Sequence, residues 1–322
     1  MPICLKEKSV NPDASESLSN AGLFVAIEAG GTKFVVSVGR HWSNAVTSTF
    51  ETTSPAATGE AVLEFIRRES ADRNIAAIGV ASFGPVGIAA QLPNYGVIGS
   101  TPKVGWTGFS YLDLLETFSA PIMVETDVNA AALAEARHGA GKGLRRVMYV
   151  TIGTGIGGGL VVDGAISNGV THPELGHMLV PRHREEIADA GFCPFHGDCL
   201  EGLAAGPTVT ARWGQDLSQL GEDHLAFRLQ AYYLAAMCTN LILQSVPDRI
   251  VLGGGVMQTP GLLAAVRAET SRLLNGYRCD LLSEHDWQQL ICLPQHAPAA
   301  GLVGAYELAF DCAAGAREVV VE

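Results

Sequence analysis

At 322 residues the chain is long enough for about two domains and a substantial core without disulfide staples. Its 21 Lys and Arg stand against 33 Asp and Glu, a net charge of −12, and no basic run exceeds a pair. A nucleic-acid backbone or an anionic membrane surface therefore finds no cationic patch. The most apolar early stretch, Ala21 to Val38, is broken by Glu28, Lys33 and three glycines, so it falls short of the ~20 apolar residues that span a bilayer.

Met1 to Asn20 has neither a basic nor an apolar half of a signal peptide and reads as a disordered cytoplasmic leader. Leu23 to Ile27 is an apolar run that ends in Glu28-Ala-Gly-Gly-Thr-Lys33 and resumes as Phe34 to Val38, which predicts strand, glycine turn and strand. Thr58 to Ser70 carries Val62, Phe65 and Ile66 among charges, as a helix does, and Ile75 to Ser82 reads as a buried strand. The Gly- and Pro-rich stretch from Phe83 to Gly108, with Trp106 in it, is too long for a plain connection; such loops often carry function. Pro121 to Thr126 is strand-like, and Asp127 to Glu135 predicts a helix opened by an acidic cap and ending at Gly139, Gly141 and Gly143.

From Arg146 the opening pattern recurs: Val147 to Ile152, the glycine run Gly153 to Gly159, Leu160 to Val162, an Asp163-Gly164 turn and Ala165-Ile166. Two such units about 120 residues apart predict a duplicated α/β architecture, because repeat arrays have periods of ~20–50 residues. Two lobes with a cleft between them follow. His172 to Gly206 reads as a loop-rich insert, Ala226 to Gln244 as a long helix and Arg249 to Leu252 as a strand. Pro260 to Asn275 is expected to be a helix capped by Thr259 with Pro260 in its first turn, and Ala299 to Ala309 a further packing helix.

Gly153 to Gly158 satisfies G-x-G-x-x-G, but that fingerprint acts through a helix N-terminus, and here a strand follows. A nicotinamide site is thus disfavoured, and no Walker A sequence occurs. Two readings remain for the glycine loops. They are ordinary hairpins, or they are turns whose N–H groups approach nucleotide phosphates, joined by a third turn at Gly253, Gly254 and Gly255. On the second reading Gly30, Gly31, Thr32, Lys33, Thr151, Gly153, Thr154 and Gly155 contact the phosphates, and Glu28 holds Mg²⁺ directly or through water. Asp127 is open in the same way. It is an N-cap by position, or a general base that accepts a sugar hydroxyl proton as the oxygen attacks a γ-phosphoryl group. Asn129 stays unassigned.

His177, Cys193, His196 and Cys199 form H-x15-C-x2-H-x2-C within 23 residues. Two thiolates and two imidazoles suit tetrahedral zinc, and with every position filled by protein the metal is structural. It would staple a loop that lacks a core of its own. The alternative is reduced thiols beside unrelated histidines; the other five cysteines are scattered, and the chain's odd total of seven argues against a disulfide framework.

Glu-Ala-Gly-Gly-Thr-Lys (28–33), Thr-Asp-Val-Asn-Ala-Ala-Ala-Leu-Ala-Glu (126–135), Thr-Ile-Gly-Thr-Gly-Ile-Gly-Gly-Gly (151–159), His-Pro-Glu-Leu-Gly-His (172–177) and Cys-Pro-Phe-His-Gly-Asp-Cys-Leu-Glu-Gly (193–202) occur in this order. Together they resemble the ROK-family sugar kinases from about residue 23 to 310. Cys-Pro-Phe-His-Gly-Asp-Cys, Ser-Phe-Gly-Pro (82–85) and Thr-Pro-Lys-Val-Gly-Trp (101–106) are similar to the bacterial fructokinase branch of that family.

The resemblance implies an actin-like, ribonuclease-H-like α/β fold of two lobes, a cytoplasmic homodimer, ATP with Mg²⁺, and Asp127 as the base. It implies D-fructose as the acceptor, with mannose, glucose or an N-acylated amino sugar as alternatives. It also implies sugar contacts from Glu174, His177 and Glu201, with His177 using one ring nitrogen for zinc and the other for sugar. The lobes are expected at 23–126 plus 299–322 and at 127–298, after a leader of 1–22, with the zinc-binding insert at 172–206. Glu28 stands where Asp is commoner in the family, and Thr126 where Asn often precedes the base. A non-catalytic sugar-sensing protein or a sugar-sensing repressor of the same fold is the rival class; the repressor is the one that makes a further demand. It would need a DNA-reading domain, and the 22 residues before the first strand show no helix-turn-helix periodicity and no basic face.

Overall fold

The computed structural model describes residues 22–71, 73–277, 284–296 and 299–315. The expected leader lies outside the described residues except for Gly22, as does the end of the last expected segment, 316–322. The described residues form two compact units: one holds those up to Ala134, 169–172 and those from Ala299 onward, and the other holds 135–168 and those from Pro173 to His296. The division falls inside a helix, later than the 126/127 boundary read from the sequence, and His172 goes with the first unit instead of opening the insert.

In the first unit the chain runs β1 (Leu23–Ala29), β2 (Lys33–Gly39), β3 (Val46–Glu51), α1 (Pro55–Ser70), β4 (Ile75–Ser82), α2 (Tyr111–Leu115), β5 (Ile122–Thr126) and α3 (Asp127–His138). The sheet order is β3-β2-β1-β4-β5, with β1 antiparallel to β2 and parallel to β4. β1 is central, so Phe24 to Ile27 are fully buried and the run carries no polar alternation. β3 has no such signature, because this edge strand pairs only with β2 and leaves half or more of its side chains in solvent. α1 starts before the expected Thr58: Ser54 accepts the Ala57 N–H and Pro55 occupies the first turn, where its missing N–H costs nothing. Trp106, on the long loop, is fully buried against Phe34, Phe83 and Phe109 and donates from its indole to the Thr53 carbonyl at 2.9 Å. It serves the core.

The second unit repeats the scheme with β6 (Arg146–Ile152), β7 (Ile156–Val162), β8 (Ala165–Ile166), α4 (Leu200–Ala204), α5 (Gly206–Trp213), α6 (Leu217–Leu220), α7 (Leu225–Ser245), β9 (Arg249–Gly253), α8 (Leu262–Leu274), α9 (Glu284–Leu290) and β10 (Ile291–Cys292). Its order is β10-β9-β6-β7-β8, and β6 is antiparallel to β7 and parallel to β9 as β1 is to β2 and β4. The glycine turn is shorter than the run suggested. Only 153–155 form it, while Gly157 to Gly159 lie in β7, where a side chain on Gly158 would overlap Leu175 and the Tyr149 carbonyl. α8 also begins later than expected, because Thr259 and Pro260 lie outside it and Gly261, at φ 75°, takes the cap position.

α10 (Ala300–Ala313) returns the chain to the first unit, laying Phe310 edge-on to Phe24 at 4.7 Å. Backbone meets backbone on both its sides: a Cβ on Gly304 would overlap the Ala130 carbonyl, and one on Gly79 the Ala305 carbonyl. That contact keeps the first part of α3 with this unit. Among the described residues no helix is long and apolar enough to cross a membrane. Gly304→Ala is expected to cost about 1–3 kcal/mol, since a carbonyl cannot swing aside as a side chain does; the urea midpoint reads it, and an unchanged midpoint would show that α10 is free to shift.

Candidate functional site

The first glycine turn is braced from β3. Gly30 donates to the Lys33 carbonyl at 2.9 Å, Thr52 gives its hydroxyl to the Gly30 carbonyl at 2.7 Å, and the Thr52 N–H reaches the Thr32 carbonyl at 2.9 Å. Gly31 faces open space, and Thr32 and Lys33 are exposed. Glu28 sits just before the turn, in room left by Gly301, where a Cβ would lie 2.5 Å from the Glu28 Oε1. Burial first, then the charge of Asp127, pushes the Glu28 carboxyl up to about 7, against the pull of Lys33.

Asp127 opens α3 but does not cap it. Thr126 does: its Oγ1 accepts the Asn129 N–H at 3.2 Å, while Asp127 Oδ1 accepts the adjacent Val128 N–H at 2.9 Å. Asn129 is fully buried and gives its amide to Glu125, also fully buried, at 2.9 Å. The bond ties the first turn of the helix to the end of β5 and fixes where Asp127 stands. Asp127 is half-buried. Its charge is felt by Glu28 and by the buried Tyr111 phenol, which burial raises and a 2.8 Å hydrogen bond from Ser82 lowers.

In the second unit Gly153 and Thr154 line a cavity of about 830 Å³ with Gly206, Thr210, Asp216 and Gly255. The turn is held by Gly153 N–H on the Gly155 carbonyl at 2.9 Å and by Gly206 N–H, at the start of α5, on the Gly153 carbonyl at 2.8 Å. Thr151 lies within β6, opposite Gly157 and Gly253. Of the third glycine group only Gly255 reaches the cavity. Gly253 and Gly254 are packing glycines, since a Cβ on either would overlap the Tyr149 hydroxyl or the Ile152 carbonyl of β6.

His177, Cys193, His196 and Cys199 converge, with all four donor atoms within 4.8 Å of one another. His177 Nδ1 lies 3.5 Å from Cys199 Sγ and 3.7 Å from Cys193 Sγ, and Cys193 Sγ lies 3.8 Å from His196 Nδ1. Tetrahedral zinc, with bonds of 2.0–2.3 Å, separates its ligands by roughly 3.3–3.8 Å, so the donor set fits. Burial, and the neighbouring Cys193, push the Cys199 thiol up, the electrostatic state that a bound cation relieves. The loop is folded tightly enough to do this: Cys193 and Gly197 bond through both backbone groups, with Gly197 at φ 59°, and Asp198 accepts from Arg182 at 2.7 Å and from the Gly191 N–H at 2.5 Å.

Glu174 is exposed and gives its carbonyl to the His177 N–H at 3.0 Å. Glu201 places Oε2 2.9 Å from the Ile156 N–H, beside the glycine turn. Thr52, Gly301 and the α5 residues at the cavity were not read from the sequence. Only the Gly206-Pro207 pair carried a signal, that of a helix start.

The chain belongs to the ROK family, whose model matches residues 24–311. It is 38% identical to a fructokinase of Zymomonas mobilis over 89% of this chain and 96% of that one. It is 41% identical to a fructokinase of Pediococcus pentosaceus over 79% and 88%. Among solved structures it resembles a ROK hexokinase of Thermus thermophilus, with a TM-score of 0.70 and 28% identity over 89% of this chain and 98% of that one.

The raised Glu28 carboxyl has a signed consequence. Between pH 4.5 and about 7 the folded state keeps a proton that the unfolded chain has released, so stability from this group falls as pH rises through that window. In metal-free protein Glu28→Gln is expected to gain about 3 kcal/mol at pH 8 and almost nothing below pH 4.5. Urea unfolding at the two pH values checks it, and a gain that is larger at low pH would overturn the assignment.

Proposed function

We propose that this chain transfers the γ-phosphoryl group of ATP to D-fructose, giving fructose 6-phosphate, with Asp127 as the general base. The observation that carries the chemistry is Asp127 itself: Thr126 has taken over the cap, and the Asn129–Glu125 bond holds a half-buried carboxylate at the helix start. The choice of fructose rests on the fructokinases among its relatives.

Phosphoryl transfer asks the protein mainly for positioning and charge stabilisation. Asp127 takes the proton of the attacking hydroxyl. In the first unit the N–H groups of the 30–32 turn, with Thr32 and Lys33, suit phosphate oxygens; in the second those of the 153–155 turn, with Thr154, do the same, and the cavity beside Gly153 suits the rest of a nucleotide. Glu28 suits Mg²⁺ directly or through water, because two mutually repelling carboxyls in a buried setting are stabilised by a divalent cation. Such a cation supplies charge neutralisation on the transferring group. Zinc in the Cys/His cluster is structural. The Nδ1 atom of His177 faces the thiols, so its Nε2 is left for a sugar hydroxyl, beside Glu174 and Glu201. The reading carries with it a cytoplasmic homodimer.

ADP release with MgATP and fructose, mannose, glucose or N-acetylmannosamine tests this. Fructose is expected to give the highest kcat/KM, and Asp127→Asn to lower kcat by about 10²–10⁴-fold with the fold intact. A flat response to every hexose would remove the kinase reading and leave a sugar sensor. Metal analysis of the same preparations is expected to find about one zinc per chain, lost in Cys199→Ser. Wild-type protein purified without zinc, yet fully folded, would overturn the structural metal.

A further inference from the structure

Glu201 sits where two parts of the second unit meet. It follows the cluster residue Cys199 by two positions, on the first turn of α4, and its Oε2 accepts the Ile156 N–H at 2.9 Å. Ile156 closes the three-residue turn 153–155, opposite Ile152. Two of the turn's other ties are internal to it or run to Gly206, so Glu201 is the side chain that holds its β7 end. Gly155 shows how close the fit is: a Cβ there would lie 2.7 Å from Glu201 Oε2, and Glu201 supplies both atoms within 4 Å of it. Among the described residues the Thr154 and Gly155 N–H groups take no backbone carbonyl, so the shape of the turn decides where these two donors point.

We propose that Glu201 is a positioning residue for the nucleotide phosphates, holding the 153–155 turn through the Ile156 N–H independently of any contact it makes with sugar. The proposal rests on the reading of that turn as a phosphate site. It gives Glu201 a role opposite in sign to its charge. A carboxylate near a phosphate repels it, so removing the charge alone strengthens nucleotide binding. Removing the acceptor releases the turn, and a buried N–H loses a charge-assisted partner. The backbone of α4 presents Glu201 from the segment that carries Cys199 and Asp198, so the Cys/His loop would set the phosphate turn as well as the sugar contacts.

Calorimetric titration of zinc-replete protein with MgADP, in the absence of any sugar, separates these effects. Glu201→Ala is expected to weaken MgADP about tenfold. Glu201→Gln, which keeps an oxygen acceptor and loses the charge, is expected to bind as the wild type does or more tightly. Gly155→Ala provides an independent route, because its new methyl meets only the Glu201 carboxylate and displaces it. It is expected to weaken MgADP on its own and to add no further loss in the Glu201→Ala background. Thermal melts identify any variant that has not folded, and Gly155→Ala then decides alone. If wild type binds MgADP and neither Glu201→Ala nor Gly155→Ala weakens it, Glu201 has no positioning role, while the nucleotide reading stands. If wild type binds no MgADP, the nucleotide reading falls and takes this proposal with it.

Discussion

Backbone N–H groups within a sheet are already spent on neighbouring strands, so a protein that offers them to an anion must do so where a central strand ends. Both units here place a glycine turn at such a point in the same way. β1 and β6 each have a parallel partner on one side and a hairpin partner on the other, and the hairpin turn falls at the end of the buried strand. Thr52 fixes the first turn and Gly206 with Glu201 the second. Each brace comes from an element that follows in sequence, so the turns depend on the sheets and helices around them being complete.

The segment between Pro173 and Ala204 lends Val180, Leu200 and Leu203 to the core of the second unit, and between these anchors it is held by polar contacts. Asp198 joins Arg182 to the Gly191 N–H, and its carboxyl is held below the usual range first by the Arg182 hydrogen bond. Deeper in, Glu186 pairs with Arg212 of α5 at 3.0 Å and accepts the Tyr233 hydroxyl of α7 at 2.8 Å, with the side chains of Glu186 and Arg212 almost without exposure. A buried charge without its partner is costly, which makes such a pair a strong constraint on geometry even where its net contribution to stability is small. Through Arg212 the insert is fastened to the helix whose Thr210 lines the cavity. The Cys/His cluster then closes the far end of the same segment.

Much of the site is carried by local patterns. The four cluster residues lie within one short segment; Cys193 and Gly197 bond to each other through both backbone groups, and the Leu200 N–H on the Met178 carbonyl at 2.9 Å, with the bridge between Leu179 and Cys199, brings His177 to Cys199. The two glycine turns announce themselves because buried strands flank them. Asp127 is marked by standing between a strand and a helix, but its neighbours changed its meaning. Thr126 carries the cap, and Asn129, unassigned in the sequence, is a buried strut to Glu125. Gly253, Gly254 and Gly158 look like loop glycines and are packing glycines, since only the approach of β6 or Leu175 shows why no side chain fits.

The sequence by itself determined the α/β class, the central strands with their turns, the grouping of the four Cys and His residues and the candidate base, because each rests on periodicity or on spacing within a short segment. Tertiary structure alone decided that Glu28 is raised toward neutrality, that Gly301 makes room for it, and that Gly206, Thr210 and Asp216 share a cavity with the second turn. It also decided that Glu201 meets Ile156. The physical reason is common to all of these. Burial, charge proximity and a hydrogen bond across 45 residues of chain depend on distances in space, which a linear pattern encodes only through the fold it produces.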